Sequence, residues 1–430
     1  MNGQLLSYWI LRAFTFPLGF FPFFLLRFLG KVLGFLGYYS ISSYRKRALS
    51  NLAMAKTLSL TDTECRKIAL RSMQSLMINC LEYPKLYYTK NLQKHLVCKN
   101  PEEAVKLSQK GVGIVFFCGH QANWEALFLD GTSRMKGLTI GKPTKNPYLY
   151  KWVLALREKF GGVVVNPKNA LKETLKALKK GVFVGIVGDQ GNPESTYSYP
   201  LMGRKAHISP VPALLAYKTG SPIMVAMTKR TASGYELEYS EPIWPNQNES
   251  LEKEIPRLMN QTLSIFEKSI QARPEEWLWT HNRWKNQTPQ VLHKRYRHDV
   301  VAIFLPNNLE KSATLQPTLA LIKKLYEKDY VILFAPFYYQ GVKFTELFTY
   351  KSEEDLLQKD LRFKMVFNFS ENPSVKPHYL KQSAFHVLEE KDFYQLAKPY
   401  ITPSSTLQEA CLKTLSRPYS LWNPEEKVAS

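Results

Sequence analysis

The stretch that most restricts how this chain can fold is Gly113–Glu125, GIVFFCGHQANWE. An unbroken apolar run, Ile114 to Cys118, stops at Gly119 and is followed by His120, Asn123, Trp124 and Glu125, where helical spacing begins. So short a run, bounded by glycine, reads as a buried strand that ends in a polar turn. A five-residue step turns a helix by about 500°, so His120 and Glu125 share no helical face. They converge only if His120 lies in the turn and Glu125 in the first helical turn, where the helix dipole favours an ionised carboxylate. A histidine oriented by a carboxylate can serve as a general base on a hydroxyl. The same string also describes a core histidine next to a surface glutamate, so the rest of the chain has to decide.

From Gly113 onward apolar runs alternate with helical patterns. The runs predict strands at Ile114–Cys118, Leu138–Ile140, Val163–Val165, Phe183–Val187 and Ile223–Met227, with helices at Tyr148–Lys159, Ala170–Lys179, Pro210–Thr219 and Leu251–Ala272. That order is an α/β domain with a central sheet flanked by helices. Ahead of it, Thr61–Glu64 is a capping box opening a long helix that runs toward Tyr83. Asn286–Asp299 is polar, basic and without apolar periodicity, as expected of a linker. Beyond it, strands at Val300–Leu305, Tyr330–Ala335 and Phe363–Asn368 and helices at Gln316–Lys328 and Glu353–Leu361 predict a smaller, Rossmann-like α/β domain. That domain has no glycine-rich phosphate loop, no paired catalytic carboxylates and no metal-spaced histidines, so no chemistry is assigned to it. The expected domains are an N-terminal anchor (1–42), the site-bearing domain (43–290) and the added domain (300–430).

The anchor rests on Leu5–Ile41, whose only charges are Arg12, Arg27 and Lys31. Its uncharged core, Ala13–Leu26, contains Pro17 and Pro22 and is shorter than the roughly 20 residues that span a bilayer. The expectation is a retained segment, either interfacial or a kinked, tilted span. Tyr44-Arg45-Lys46-Arg47 follows, which places the rest of the chain on the cytoplasmic side of the membrane. The net charge is +22, and Val301–Ser430 holds 16 Lys and Arg against 15 Asp and Glu, leaving 42 against 21 in the first 300 residues. Such a field suits a phosphorylated lipid, an anionic membrane or an acidic carrier protein. A nucleic-acid module is disfavoured, because the N-terminal aromatic residues sit in a membrane-like run and do not interleave with the cations. Five scattered cysteines with no CxxC pair indicate reduced thiols.

Other stretches join the first. Lys142 and Lys145, in KPTKNP, stand in a turn after a strand and before a helix, which suits an anion as well as it suits two ordinary exposed lysines. Asp189 and Gln190 end the strand Phe183–Val187, at a ligand-binding edge if that strand is parallel; Asp189 could equally be an Asx-turn residue. Tyr199–Gly203 offers an apolar lip for an alkyl chain. His281 and Arg283 lie among Trp277, Trp279 and Trp284, expected mostly as a structural cap with tryptophans at the membrane surface and Arg283 as a ligand contact.

Taken in order, GHQANWE, KPTKNP, ALKKG, GDQG, YPLMG and RPEEWLWTHNRW resemble the late acyltransferases of lipid A biosynthesis, the lauroyl and myristoyl transferases of the HxxxxD/E glycerolipid acyltransferase superfamily. The resemblance covers roughly residues 1–290. It implies His120 as general base, Glu125 as its charged partner and Asp189 as a residue of the substrate cleft; Asn123, Lys142, Lys145, Gln190 and Arg283 are expected as further substrate contacts. It also implies acyl carrier protein as donor, a phosphorylated lipid A precursor as acceptor, and a place on the cytoplasmic side of the inner membrane of a Gram-negative bacterium. No metal or cofactor is expected. Lys142 stands where the family usually has Arg, and Gln121-Ala122 departs from its commoner small or glycine-containing pair. The same chemistry on a lysophospholipid or glycolipid is the alternative.

Overall fold

The computed structural model describes residues 3–284 and 291–416. They form two compact units, one of Met1–Ile41, Lys67–Gly191 and Ser195–Arg283, the other of Ser42–Arg66, Asn192–Glu194 and Trp284–Ser430. Residues 43–66, read from sequence as part of the site-bearing domain, thus group with the C-terminal unit.

The strands of the first unit are β1 (Leu96–Cys98), β2 (Val115–Cys118), β3 (Gly137–Ile140), β4 (Val163–Val165), β5 (Phe183–Val187), β6 (Ser198–Leu201), β7 (Arg204–His207), β8 (Ile223–Thr231) and β9 (Gly234–Tyr239). Seven of them form a sheet in the order β1-β9-β8-β2-β5-β3-β4, parallel except at β8–β9, and β6–β7 is a separate hairpin. β2 is buried along its whole length, as a central parallel strand covered on both faces must be. Its side chains alternate: Phe116 and Cys118 pack with Leu127 and Phe128 of the Trp124–Arg134 helix, whereas Phe117 meets Phe266 of the Leu251–Ala272 helix at 5.6 Å. The expected capping box forms, with Thr61 N donating to Glu64 Oε2 at 2.8 Å, and its helix runs Asp62–Tyr88.

The apolar N-terminal segment is two helices, Gly3–Leu18 and Phe23–Ser40, broken before Pro22, which sits at the second N-cap. The second helix packs against Asp62–Tyr88 through glycines. A Cβ at Gly30 would lie 2.8 Å from Ile78 Cα, and one at Gly34 would lie 2.4 Å from Gln74 Cα. Arg27 forms an ion pair with the fully buried Glu82 at 2.7 Å and donates to the carbonyls of Thr231, Ala232 and Gly234. Along these helices Trp9, Phe14, Phe20, Phe24 and Phe28 are all more than half exposed. Among the described residues no single helix is long and apolar enough to cross a membrane.

In the second unit β10 (Val300–Phe304), β11 (Tyr330–Pro336), β12 (Glu346–Tyr350), β13 (Met365–Asn368) and β14 (His386–Glu389) form an all-parallel sheet in the order β12-β11-β10-β13-β14. That is the doubly wound order of Rossmann-like domains. The Ser42–Ala53 helix belongs to this unit: Ser50 Oγ donates to Arg362 O at 2.6 Å, Lys364 Nζ reaches Asn51 Oδ1 at 2.9 Å, and Met54 joins the core beside Val300 and Phe304. Two expectations change. The linker begins outside the described residues, but its later part is packed, with Leu292 and Tyr296 buried in the core. The helix expected at Glu353–Leu361 is a single 3-10 segment, Glu353–Leu357, capped by Ser352.

Candidate active site at the carboxyl edge of the sheet

Register decides which residues meet. β2 and β5 are parallel neighbours with Cys118 opposite Val187. Each chain then passes through one glycine, Gly119 or Gly188, so His120 and Asp189 leave the same edge side by side. Gly119 is required there, because a Cβ would lie 2.1 Å from the Phe266 ring and 2.8 Å from Asp189 Cγ. The His120 peptide is held at both ends: its N–H donates to Asp189 Oδ2 at 2.9 Å and its carbonyl accepts from Leu278 N at 3.0 Å. Ala122, next but one, takes a left-handed φ of 44°, which lets the chain turn sharply into the Trp124–Arg134 helix.

His120 Nδ1 lies 2.7 Å from Asp189 Oδ1. An ionised carboxylate only accepts, so Nδ1 carries the proton and Nε2 is the basic nitrogen. Asp189 is buried and ringed by donors. Trp277 Nε1 reaches Oδ2 at 2.8 Å, and Arg283 Nη1 lies 2.9 Å from Oδ2 and from the Asp189 carbonyl oxygen. Burial alone would raise the Asp189 carboxyl, but Arg283 and His120 outweigh it and hold it far below the usual carboxylate range. Burial likewise draws the Arg283 guanidinium below its ordinary range, with Asp189 opposing. Gln190 Nε2 stands 3.4 Å from His120 Nε2, and the rings of Trp124 and His281 each lie 4.7 Å from the imidazole.

This corrects three expectations. Glu125 is in the first helical turn as expected, but it binds Arg157, with Nε to Oε2 at 2.9 Å and Nη2 to Oε1 at 2.5 Å. The carboxylate on His120 Nδ1 belongs instead to Asp189, because β5 delivers it in register whereas Glu125 has already turned into the helix. Arg283 is no ligand contact either: it is fully buried, stacked 4.4 Å over Trp277 and spent on Asp189. The three tryptophans are buried, not at a surface.

The Glu125–Arg157 pair borders an apolar cavity with about 620 Å³ of open space, mouth included. Phe116, Leu127, Phe128, Phe183 and Tyr239 are among its walls. Only about 70 Å³ of that space has room for the centre of a water molecule, so the cavity is a narrow slot. Burial would lower the Arg157 guanidinium, but the hydrogen bond and charge of Glu125 raise it, so Arg157 stays charged. Arg157 ends the Pro147–Arg157 helix, whose N-cap is Asn146. Lys142 and Lys145 precede that cap, exposed and without an ion pair among the described residues; they share the carboxyl edge, but β5 separates β3 from β2. Asn123 is buried at the N-cap of its helix beside the Tyr235 hydroxyl. Sequence reading missed Arg157, which shows only as a basic residue in a helix's last turn. It also missed the pairing of His120 with Asp189, for which one signal existed: both strands end in Gly, one polar residue, then Gln. No group of three or more His, Cys, Asp or Glu placed to hold a metal occurs among the described residues.

An imidazole with Nδ1 held by a buried carboxylate and an apolar slot nearby could serve an acyl-transferring α/β enzyme. The family model of the bacterial lipid A biosynthesis acyltransferases matches residues 3–286, and the chain belongs to that family. It is an acyltransferase of lipid A synthesis, with a lipid A precursor as acceptor. The match ends before β10, so the second sheet lies outside it. No curated protein sequence matches the chain.

Proposed function

We propose that the protein moves a fatty acyl group from acyl carrier protein to a hydroxyl of the lipid A precursor, on the cytoplasmic side of the inner membrane of a Gram-negative bacterium. The observation that carries the mechanism is the buried Arg283–Asp189–His120 chain, which leaves Nε2 as the basic nitrogen. Nε2 takes the proton of the acceptor hydroxyl as its oxygen attacks the thioester carbonyl. The C–S bond breaks, and the imidazolium returns the proton to the departing thiolate. Asp189 holds the tautomer and stabilises the imidazolium, and Arg283 keeps Asp189 ionised. Gln190 is placed to bond the attacking or carbonyl oxygen. The cavity beside Glu125 takes the acyl chain, with the Glu125–Arg157 pair at the thioester end.

The charge distribution supports both partners, since the first 300 residues carry 42 cations against 21 carboxylates and acyl carrier proteins and lipid A precursors are both anionic. The exposed aromatic face of the N-terminal helices supports insertion into one leaflet. The test is turnover of purified protein with acyl carrier protein or coenzyme A thioesters and with lipid A precursor or lysophospholipid. His120→Ala should cut turnover by about 10²–10⁴ with a cooperative melting transition retained. A variant that keeps near-normal turnover would remove His120 as base, and equal use of a coenzyme A thioester would remove the carrier-protein reading.

A further inference from the structure

The second unit contains a basic cluster that acyl transfer does not use. It lies at the amino ends of β10, β13 and β14, where His298, Lys364 and His386 are joined by Arg295 and by Lys46 and Arg47 of the Ser42–Ala53 helix. The groups are close. The His298 and His386 rings are 5.7 Å apart, His298 stacks on Phe385 at 5.1 Å, and the Arg47 guanidinium stands 5.9 Å over the same Phe385 ring. Lys46 Nζ donates to Ala384 O, two residues before His386, at 2.7 Å. Asp299 acts on His298 against these cations, and Lys364 already holds it at 2.7 Å. His298 Nε2 is buried and has no hydrogen-bond partner. A buried ring nitrogen left unpaired costs free energy, and so does a cluster of like charges. One anion would relieve both.

We propose that this cluster binds a phosphate-class anion, with His298, His386, Lys46 and Arg295 as donors. A phosphate offers three acceptor oxygens to converging donors, which a carboxylate does not. In the free protein, burial, His386, Lys364 and Arg47 push His298 down to about 3, against Asp299; burial, Arg295 and Lys46 push His386 down to about 4. A bound anion must oppose both shifts. Two sources carry this chemistry. The Arg45-Lys46-Arg47 run follows shortly after the apolar helix that ends at Ser40, so one is an anionic lipid headgroup. The other is a soluble phosphate compound.

The test is histidine-selective NMR titration of the full chain, with inorganic phosphate at constant ionic strength and, separately, in nanodiscs of phosphatidylglycerol or phosphatidylcholine. His298→Gln and His386→Gln assign the signals. The expected result is a rise of about one unit or more in both histidine pKa values. A rise with inorganic phosphate supports the site with a soluble ligand; a rise only with phosphatidylglycerol supports it with a headgroup. Arg295→Gln, an exposed change outside the acyl-transfer site, should weaken the effect roughly tenfold, as expected for one charge-assisted hydrogen bond. No rise in any arm, or an undiminished rise in Arg295→Gln, would overturn the proposal.

Discussion

Burial pushes the Asp189 carboxyl upward, yet Arg283 and His120 hold it well below the usual range, so the charge on this one residue couples stability to catalysis. The sign follows from linkage. The folded-state pKa lies below the roughly 3.9 of an unfolded aspartate, so the contribution is fully present above about pH 4 and is lost as pH falls toward the folded value. Asp189→Asn would strand the fully buried Arg283 without its counter-charge. We expect it to destabilise the first unit by about 3–5 kcal/mol, the usual loss on breaking a buried pair, and to lower turnover through the lost imidazole orientation. Melting curves and turnover at pH 7 check both, and a variant as stable as the parent would contradict the ion pair. The chemistry of GHQ and GDQ was legible in the sequence. Their meeting was not, because 69 residues separate His120 from Asp189 and only the pairing of β2 with β5 closes that gap.

At the scale of elements, the helix break at Pro22 and the Leu251–Ala272 helix follow directly from sequence pattern. The short strands β1, β9, β12 and β14 and the β6–β7 hairpin escaped it, since their residues alternate or are few and gain strand form from partners. The N-terminal helices also have a packing role. Gly30 and Gly34 bring the Phe23–Ser40 helix against Asp62–Tyr88, the helix that supplies Glu82 to Arg27. Gly34→Leu places side-chain atoms where Gln74 Cα already lies. The helices must separate, and we expect a loss of about 1–3 kcal/mol. Gly3→Leu, which meets nothing within 4 Å, is the control. Thermal melts of the two in the same detergent decide, and equal melting temperatures would refute the close packing.

For the whole molecule, an added domain with no chemistry assigned to it predicts that a chain ending near Gln287 keeps acyl transfer. The compact units make that division less simple. Ser42–Arg66 belongs to the C-terminal unit, with Leu49 and Leu52 buried and Met54 in its core. A chain truncated after residue 284 loses the sheet beneath this helix and exposes those side chains. We therefore expect it to melt lower and aggregate, with turnover per folded molecule retained, because every group of the His120 site lies in the first unit. Calorimetry and turnover normalised to the folded fraction check this, and a truncation as stable as the full chain would show that the helix needs no sheet.

What the sequence determined by itself was local: alternation and helical spacing set the strands, caps and turns, and six ordered motifs carried the family. These depend on residues a few positions apart, where period and propensity act. Tertiary structure alone decided which carboxylate orients His120, that Arg283 is a buried counter-ion, that Glu125 answers Arg157, and that Ser42–Arg66 completes the second unit. Each depends on register or burial between distant segments, because only packing determines which charges lose their water and must find one another.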